Sequence, residues 1–116
     1  MTAIHDMTPA DVAEALRRRE ITLIDVREPS EYGAERIHGA LLFPLSAFDP
    51  LALPADGRKL VFHCGSGKRS ATAVQRCQNA GIPIDTHMEG GIAAWKRAGL
   101  PVIALSPATG HVVDRG

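Results

Sequence analysis

The 116-residue sequence has no net charge, since 13 Lys and Arg stand against 13 Asp and Glu. It therefore lacks the basic field that non-specific nucleic-acid binding needs, and it is not an acidic disordered tail. No apolar run approaches the ~18 residues of a membrane span. The opening Met-Thr-Ala-Ile-His-Asp is neither basic nor apolar enough for a secretory leader, so the expected compartment is cytoplasmic. Internal repeats and low-complexity segments are absent. Cysteine is scarce, with only Cys64 and Cys77, too few for a disulfide scaffold. A helix through residues 70–80 would carry Cys77 up to about 20 Å from Cys64 at ~1.5 Å per residue. A disulfide needs Cα atoms within about 7 Å, so two free thiols are expected, as in a reducing compartment.

The length fits one domain at roughly 100–200 residues each. Hydrophobic residues make up 45% of the chain, enough for a core. Strand-like and helix-like stretches alternate, which points to an α/β fold with a parallel sheet and helices on its faces. Thr8 is placed to N-cap a first helix, with Pro9 at its first position and Asp11 at the positive end of its dipole. Val12, Ala15 and Leu16 fall on one stripe, and Arg17-Arg18-Arg19 reads as a solvated helix end. The run 21–26 (Ile-Thr-Leu-Ile-Asp-Val) reads as a strand covered on both faces. Pro29 opens a short helix to about Arg36. A second strand is expected over 39–45, stopped by Pro44, and 46–58 reads as irregular. A third strand over 59–63 ends at Cys64. A helix over 70–80 buries Ala73, Val74 and Cys77 and stops at Gly81 and Pro83. A fourth strand over 84–88 and a last helix over 92–98, with Ile92 and Trp95 inward, complete the reading.

The segment 63–70, His-Cys-Gly-Ser-Gly-Lys-Arg-Ser, carries the chemistry. It runs strand, glycine loop, helix, and puts Cys64 at the end of a parallel strand, where sites in open α/β sheets lie. Glycines let successive N–H groups turn inward as an anion nest. The helix N-terminus, Lys68 and Arg69 add positive charge. All three favour a thiolate, the form in which cysteine is a nucleophile. A buried apolar filler is the alternative reading of a lone cysteine. Nucleotide binding is disfavoured, because the Gly-x-x-x-x-Gly-Lys-[Ser/Thr] pattern is absent.

Three blocks in order resemble the rhodanese sulfurtransferase family across about residues 4–102. They are Leu23-Ile24-Asp25-Val26-Arg27-Glu28 with Glu31-Tyr32 and Ile37-His38-Gly39-Ala40; the cysteine loop with Arg69-Ser70; and Glu89-Gly90-Gly91-Ile92-Ala93-Ala94-Trp95. The resemblance implies a rhodanese-like parallel sheet of about five strands, one domain over 1–105 and a turn-rich tail over 106–116. It implies that Cys64 takes the outer sulfur of a donor such as thiosulfate as a persulfide. Backbone amides of Gly65, Ser66, Gly67, Lys68 and Arg69 would cradle that sulfur. A thiophilic acceptor (cyanide, a thiol or a protein cysteine) would then remove it, with no cofactor and no metal. Many relatives carry a cation where this chain has Gly65, so donor capture is expected to rest on Lys68 and Arg69. Many carry His where this chain has Arg36.

Asp25 and Arg27 lie near the loop and read either as site-supporting residues, with Ser70, or as a structural ion pair. Adjacent strand residues face opposite ways, so His63 is expected to pack beneath the sheet instead of pairing with Cys64. His5, His38, His87 and His111 are scattered without metal-ligand spacing. Cys77 and Trp95 read as core. No nucleic-acid or membrane partner is expected, and nothing demands more than a monomer; an acceptor protein is one possible partner. Two rivals stand beside sulfur transfer. His-Cys, a glycine loop and Arg-Ser also resemble the cysteine phosphatase and arsenate reductase signature, but that loop is one residue longer. A tighter ring of amides suits one sulfur better than a tetrahedral phosphate. The second rival is a non-enzymatic binding or regulatory module, disfavoured by the cysteine and its charged loop.

Overall fold

In the computed structural model of the chain, residues 3–105 are described in full and 112–115 as backbone. The strands are β1 (His5–Met7), β2 (Ile21–Asp25), β3 (Glu35–Arg36), β4 (Leu41–Leu42), β5 (Lys59–His63), β6 (Thr86–Met88), β7 (Val102–Leu105) and β8 (Val112–Arg115). The helices are α1 (Pro9–Arg17), α2 (Pro29–Ala34), α3 (Lys68–Asn79) and α4 (Gly91–Arg97), with single 3-10 turns at Leu45–Ala47 and Pro50–Ala52.

Five strands form one sheet in the order β1-β6-β5-β2-β4, parallel throughout. Every residue of β2 is buried, Thr22 and Asp25 included, as suits a mostly apolar central strand covered on both faces. Alternation divides the core. Leu23 and Val61 face one side, packing in a cluster with Val12 and Ala15 of α1 and Ile92 and Trp95 of α4. Ile24 and Phe62 face the other, with Ala73, Val74 and Cys77 of α3. Full burial of such side chains contributes roughly 1.5–3 kcal/mol each. The Thr8 hydroxyl accepts the Asp11 N–H at 3.1 Å and caps α1 as expected. Trp95 donates its indole N–H to the Pro101 carbonyl at 2.8 Å. Both cysteines are free and buried. Among the described residues, no helix is long and apolar enough to cross a membrane.

Several elements differ from their expected extents. The strand expected over 39–45 is only Leu41–Leu42, because Gly39 takes φ +89° and the chain turns before and after it. The helix expected from residue 70 begins two residues earlier, at Lys68, with Gly67 at φ +108° as its cap. Strand 84–88 shortens to 86–88, since Pro83 and a turn joining Ile84 N–H to the Ile82 carbonyl occupy its start. A second, antiparallel sheet in the order β3-β7-β8 was not foreseen. Residues 112–115 of the tail therefore form a strand against β7. The rest of the turn-rich tail, 106–111 and 116, lies outside the described residues.

Asp25 ends β2 without solvent exposure, and Arg27 is 4% exposed. The Arg27 guanidinium donates to both carboxylate oxygens of Asp25, at 2.9 to 3.2 Å, and Nη2 also donates to the Glu35 carbonyl at 2.6 Å. The pair ties the end of β2 to β3. Removing one member of a buried pair strands the other charge, at a cost of about 3–5 kcal/mol. We therefore expect Arg27→Met to lower unfolding stability by about that amount in urea titration. A loss under about 1 kcal/mol would show that Asp25 finds another partner or water.

Candidate active site

Cys64 follows the last residue of β5 and is 1% exposed. Its side chain lies on the Phe62 face, within the apolar cluster formed with α3. The chain then curls through Gly65, Ser66 and Gly67 and enters α3. The curl returns the Gly67 N–H to Cys64 Sγ at 3.0 Å. The Ser70 hydroxyl stands 3.5 Å from the same sulfur. Burial is the largest influence on the thiol and pushes its pKa up. The Ser70 hydroxyl and the N–H groups of Ser70, Gly67 and Ser66 together outweigh it, so the thiol sits below its ordinary value. Of the cradle expected from Gly65 to Arg69, Ser66 and Gly67 thus face the sulfur, and Ser70 joins them from one residue beyond.

The curl is held from α4. The Ile92 N–H donates to the Cys64 carbonyl at 2.8 Å and the Ala93 N–H to the Gly65 carbonyl at 3.2 Å. These are amides of the first helical turn, which lack intrahelical partners. By fixing two loop carbonyls outward they leave the following N–H groups to turn toward the sulfur. Gly91 makes the approach possible. It takes φ +63°, and a Cβ there would lie 2.4 Å from the Cys64 carbonyl oxygen and 2.5 Å from the Gly65 carbonyl carbon. The sequence marked Gly90-Gly91 only as part of a motif and a strand breaker; its service to the cysteine loop comes from the fold.

Lys68 and Arg69 open α3. The Lys68 side chain is exposed. Arg69 is half-engaged elsewhere: it grips Glu31 of α2 with Nη1 at 2.6 Å and Nη2 at 3.0 Å. The Arg69 guanidinium holds the Glu31 carboxyl down to about 2 from 4.5. Because the folded value is depressed, this contribution is present above the ordinary carboxylate range and lost as pH falls toward 2. The missing side chain at residue 65 leaves the guanidinium its space, since a Cβ there would be 3.1 Å from Arg69 Nη2. Composition and periodicity did not reveal Glu31 as the partner of Arg69.

His63 lies on the opposite face from Cys64. Its Nδ1 is 3.2 Å from the Cys64 carbonyl oxygen and its Nε2 is 3.5 Å from Asp25 Oδ2. Desolvation holds its pKa below the usual histidine value despite Asp25. A neutral ring facing away from the sulfur is no partner for a thiolate. The Asp25–Arg27 pair stands one strand over, in register with His63, and supports the base of the loop without touching Cys64. Cys77, further along α3, is pushed up to about 11 by burial and stays a thiol. Histidine 87 is different. Its Nδ1 lies 2.8 Å from Ser70 Oγ, and Nε2 lies 2.7 Å from Asp6 Oδ1. The sequence treated it as one scattered histidine among several. No group of three His, Cys, Asp or Glu able to hold a metal occurs among the described residues.

A buried cysteine at the carboxyl end of a central parallel strand, with N–H groups converging on its sulfur, defines an α/β domain built around one nucleophilic thiol. The chain belongs to the rhodanese-like domain family, which it matches over residues 8–98. It is 40% identical over 103 residues to an uncharacterized protein of Synechocystis, covering 88% of this chain and 58% of that one. A protein named sulfurtransferase from Allochromatium vinosum is 35% identical over 88 residues, 73% of this chain and 80% of its own. A rhodanese-related protein from Thermoplasma volcanium superposes with a TM-score of 0.73 at 33% identity, covering 84% of this chain and 96% of that one.

The buttress is testable. Gly91→Ala forces a Cβ into the loop backbone and is expected to cost about 2 kcal/mol or more and to slow alkylation of Cys64. Gly99 also has positive φ, at +78°, but a Cβ there meets nothing within 4 Å. Gly99→Ala should cost only about 1 kcal/mol and leave Cys64 alkylation unchanged. Equal effects of the two on Cys64 would remove the buttress from the account.

Proposed function

We propose that this chain is a sulfurtransferase that carries a sulfane sulfur on Cys64. The observation that supports this most is the set of N–H groups turned onto Cys64 Sγ, which lower its pKa against the pull of burial. A ring of fixed dipoles aimed at a single atom stabilises an anion on that atom without reorganisation. Membership of the rhodanese-like family, and likeness to a relative named a sulfurtransferase, agree with it.

In this reading the Cys64 thiolate attacks the sulfane sulfur of a donor. An Sγ–S bond forms, the donor's own bond to that sulfur breaks, and its electron pair leaves with the remainder, sulfite when the donor is thiosulfate. Cys64 becomes a persulfide. An acceptor nucleophile (cyanide, a small thiol or a protein cysteine) then attacks the outer sulfur, and the Cys64 sulfur departs as thiolate. The two displacements balance without a redox cofactor or metal. Lys68 and Arg69 draw anionic donors to the loop. Arg69 shares its charge with Glu31, so its help to a donor is smaller than a free guanidinium would give.

Intact-mass spectrometry after incubation with thiosulfate and with an alkyl persulfide reads the step directly. The expected result is the gain of one sulfur atom on Cys64, reversed by cyanide and absent in Cys64→Ser. No adduct with any donor would favour a binding module, and turnover of an aryl phosphate in its place would favour phosphatase chemistry. Arg69→Ala is expected to weaken use of thiosulfate roughly tenfold while changing use of a neutral sulfur donor much less. Equal losses with both donors would assign Arg69 to structure alone.

A further inference from the structure

The buried sulfur has one polar connection to the far edge of the sheet. From Cys64 Sγ it passes 3.5 Å to Ser70 Oγ, 2.8 Å to His87 Nδ1 across the ring, and 2.7 Å from His87 Nε2 to Asp6 Oδ1. Four elements supply it: the end of β5, α3, β6 and the edge strand β1. Burial falls along its length. Cys64 is 1% exposed and Ser70 is fully buried, while the side chains of His87 and Asp6 are 10% and 58% exposed. We propose that Ser70, His87 and Asp6 form a proton relay that carries the Cys64 thiol proton equivalent to the His87 ring beside the β1 edge, with His87 a positioning residue that acts through the Ser70 hydroxyl and is held by Asp6.

The donors and acceptors close in one arrangement. An ionised Asp6 carboxylate only accepts, so His87 Nε2 carries a proton toward it. In the neutral ring Nδ1 is then an acceptor, and it takes the Ser70 hydroxyl proton. Ser70 Oγ is left to accept from the Cys64 thiol. Ionisation runs along the same line. The thiol proton passes to Ser70 Oγ, the original Ser70 proton passes to His87 Nδ1, and the hydroxyl now donates to a thiolate. The net change is one negative charge on Cys64 and one positive charge on His87, separated by one hydroxyl. His87 Nε2–H faces Asp6 before and after. The Gly67 carbonyl, 3.2 Å from Ser70 Oγ, is a second acceptor for the hydroxyl in either state.

The surroundings of the ring suit this. Asp6 of β1 and Phe62 of β5 are its register neighbours, and Ser70 reaches it from α3. Along its own strand the carboxylates two residues away are Asp85 and Glu89. Asp85 is taken up by His5 at 3.6 Å, and Glu89 is exposed. The carboxylate aimed at the ring is therefore that of Asp6.

The relay rests on Cys64 being the reactive thiol, but its test uses iodoacetamide alkylation, which needs no sulfur donor. A chain that takes up no sulfur can still show it, and the converse also holds. His87→Gln is expected to raise the pH midpoint of Cys64 alkylation by about one unit, because an opposite charge a few ångströms away is removed. In a Ser70→Ala background the same substitution should move the midpoint by less than about 0.3 unit, since the connecting hydroxyl is gone. An unchanged midpoint in His87→Gln, or equal shifts in both backgrounds, overturns the relay. The wild-type chain supplies an arm that does not depend on folding of variants. Capping Cys64 with methyl methanethiosulfonate, one adduct by mass, removes the thiolate. The His87 titration followed by NMR should then fall by about one pH unit. Identical titrations before and after capping would also overturn it.

Discussion

The geometry of residues 64–70 depends on one contact, in which the first amides of α4 hold the carbonyls of Cys64 and Gly65. A peptide plane has two ends. With its oxygen bound on one side, its neighbour's N–H is turned to the other, and here that side contains the sulfur. The two buried cysteines offer an internal comparison, since Cys64 precedes the start of α3 and Cys77 lies along it. Cys77, with burial alone acting on it, is pushed up to about 11. Cys64, also buried at 1% exposure, is pulled below its ordinary value by the Ser70 hydroxyl and the N–H groups of Ser66, Gly67 and Ser70. Enclosure strengthens both effects, because a low dielectric penalises a bare charge and magnifies the donors that face it.

The formal charges play a secondary part in this arrangement. Arg69 lies in the first turn of α3 beside the loop, yet its guanidinium is matched by Glu31. What the pair supplies is position, since it ties α2 to the start of α3. Lys68 remains exposed and free to meet an incoming anion. In the proposed sulfur transfer, amides that serve any anionic sulfur alike would leave discrimination between donors mainly to access.

The cysteine loop was legible in the sequence because its parts are contiguous. Strand end, glycines, cations and helix start occupy residues 63–70, and their consequence for a thiol follows from local backbone physics. Four strands of the parallel sheet were legible for a related reason, since the mostly apolar stretches 21–25 and 60–62 declare central strands. The count of five came from the family resemblance, and β1, three residues with polar His5 and Asp6, was not legible. Nor was the second sheet. Glu35–Arg36 is polar and two residues long, and β7 follows a proline, so neither has a periodicity to read. His87 and Asp6 failed to register for a different reason. They are 81 positions apart and become neighbours only because β1 pairs with β6 in register. Sequence spacing carries no trace of that contact.

The edge position of β1 gives the relay its direction. A sulfur enclosed by the loop on one side and by apolar side chains on the other must exchange its proton with something, and the hydroxyl of Ser70 is the polar group beside it that also reaches outward. If Cys64 takes up a sulfane sulfur as proposed, that exchange would change. In the persulfide the negative charge moves one atom out, beyond Sγ, and the Ser70 hydroxyl loses the anion that it faced. Its proton would then be donated to His87 Nδ1 or to the Gly67 carbonyl. The charge of a ring near the sheet edge would thus be tied to whether Cys64 holds a sulfur. Under the proposed sulfur transfer, that tie would make discharge and recharge of the cysteine proton-coupled, even though neither displacement itself consumes a proton.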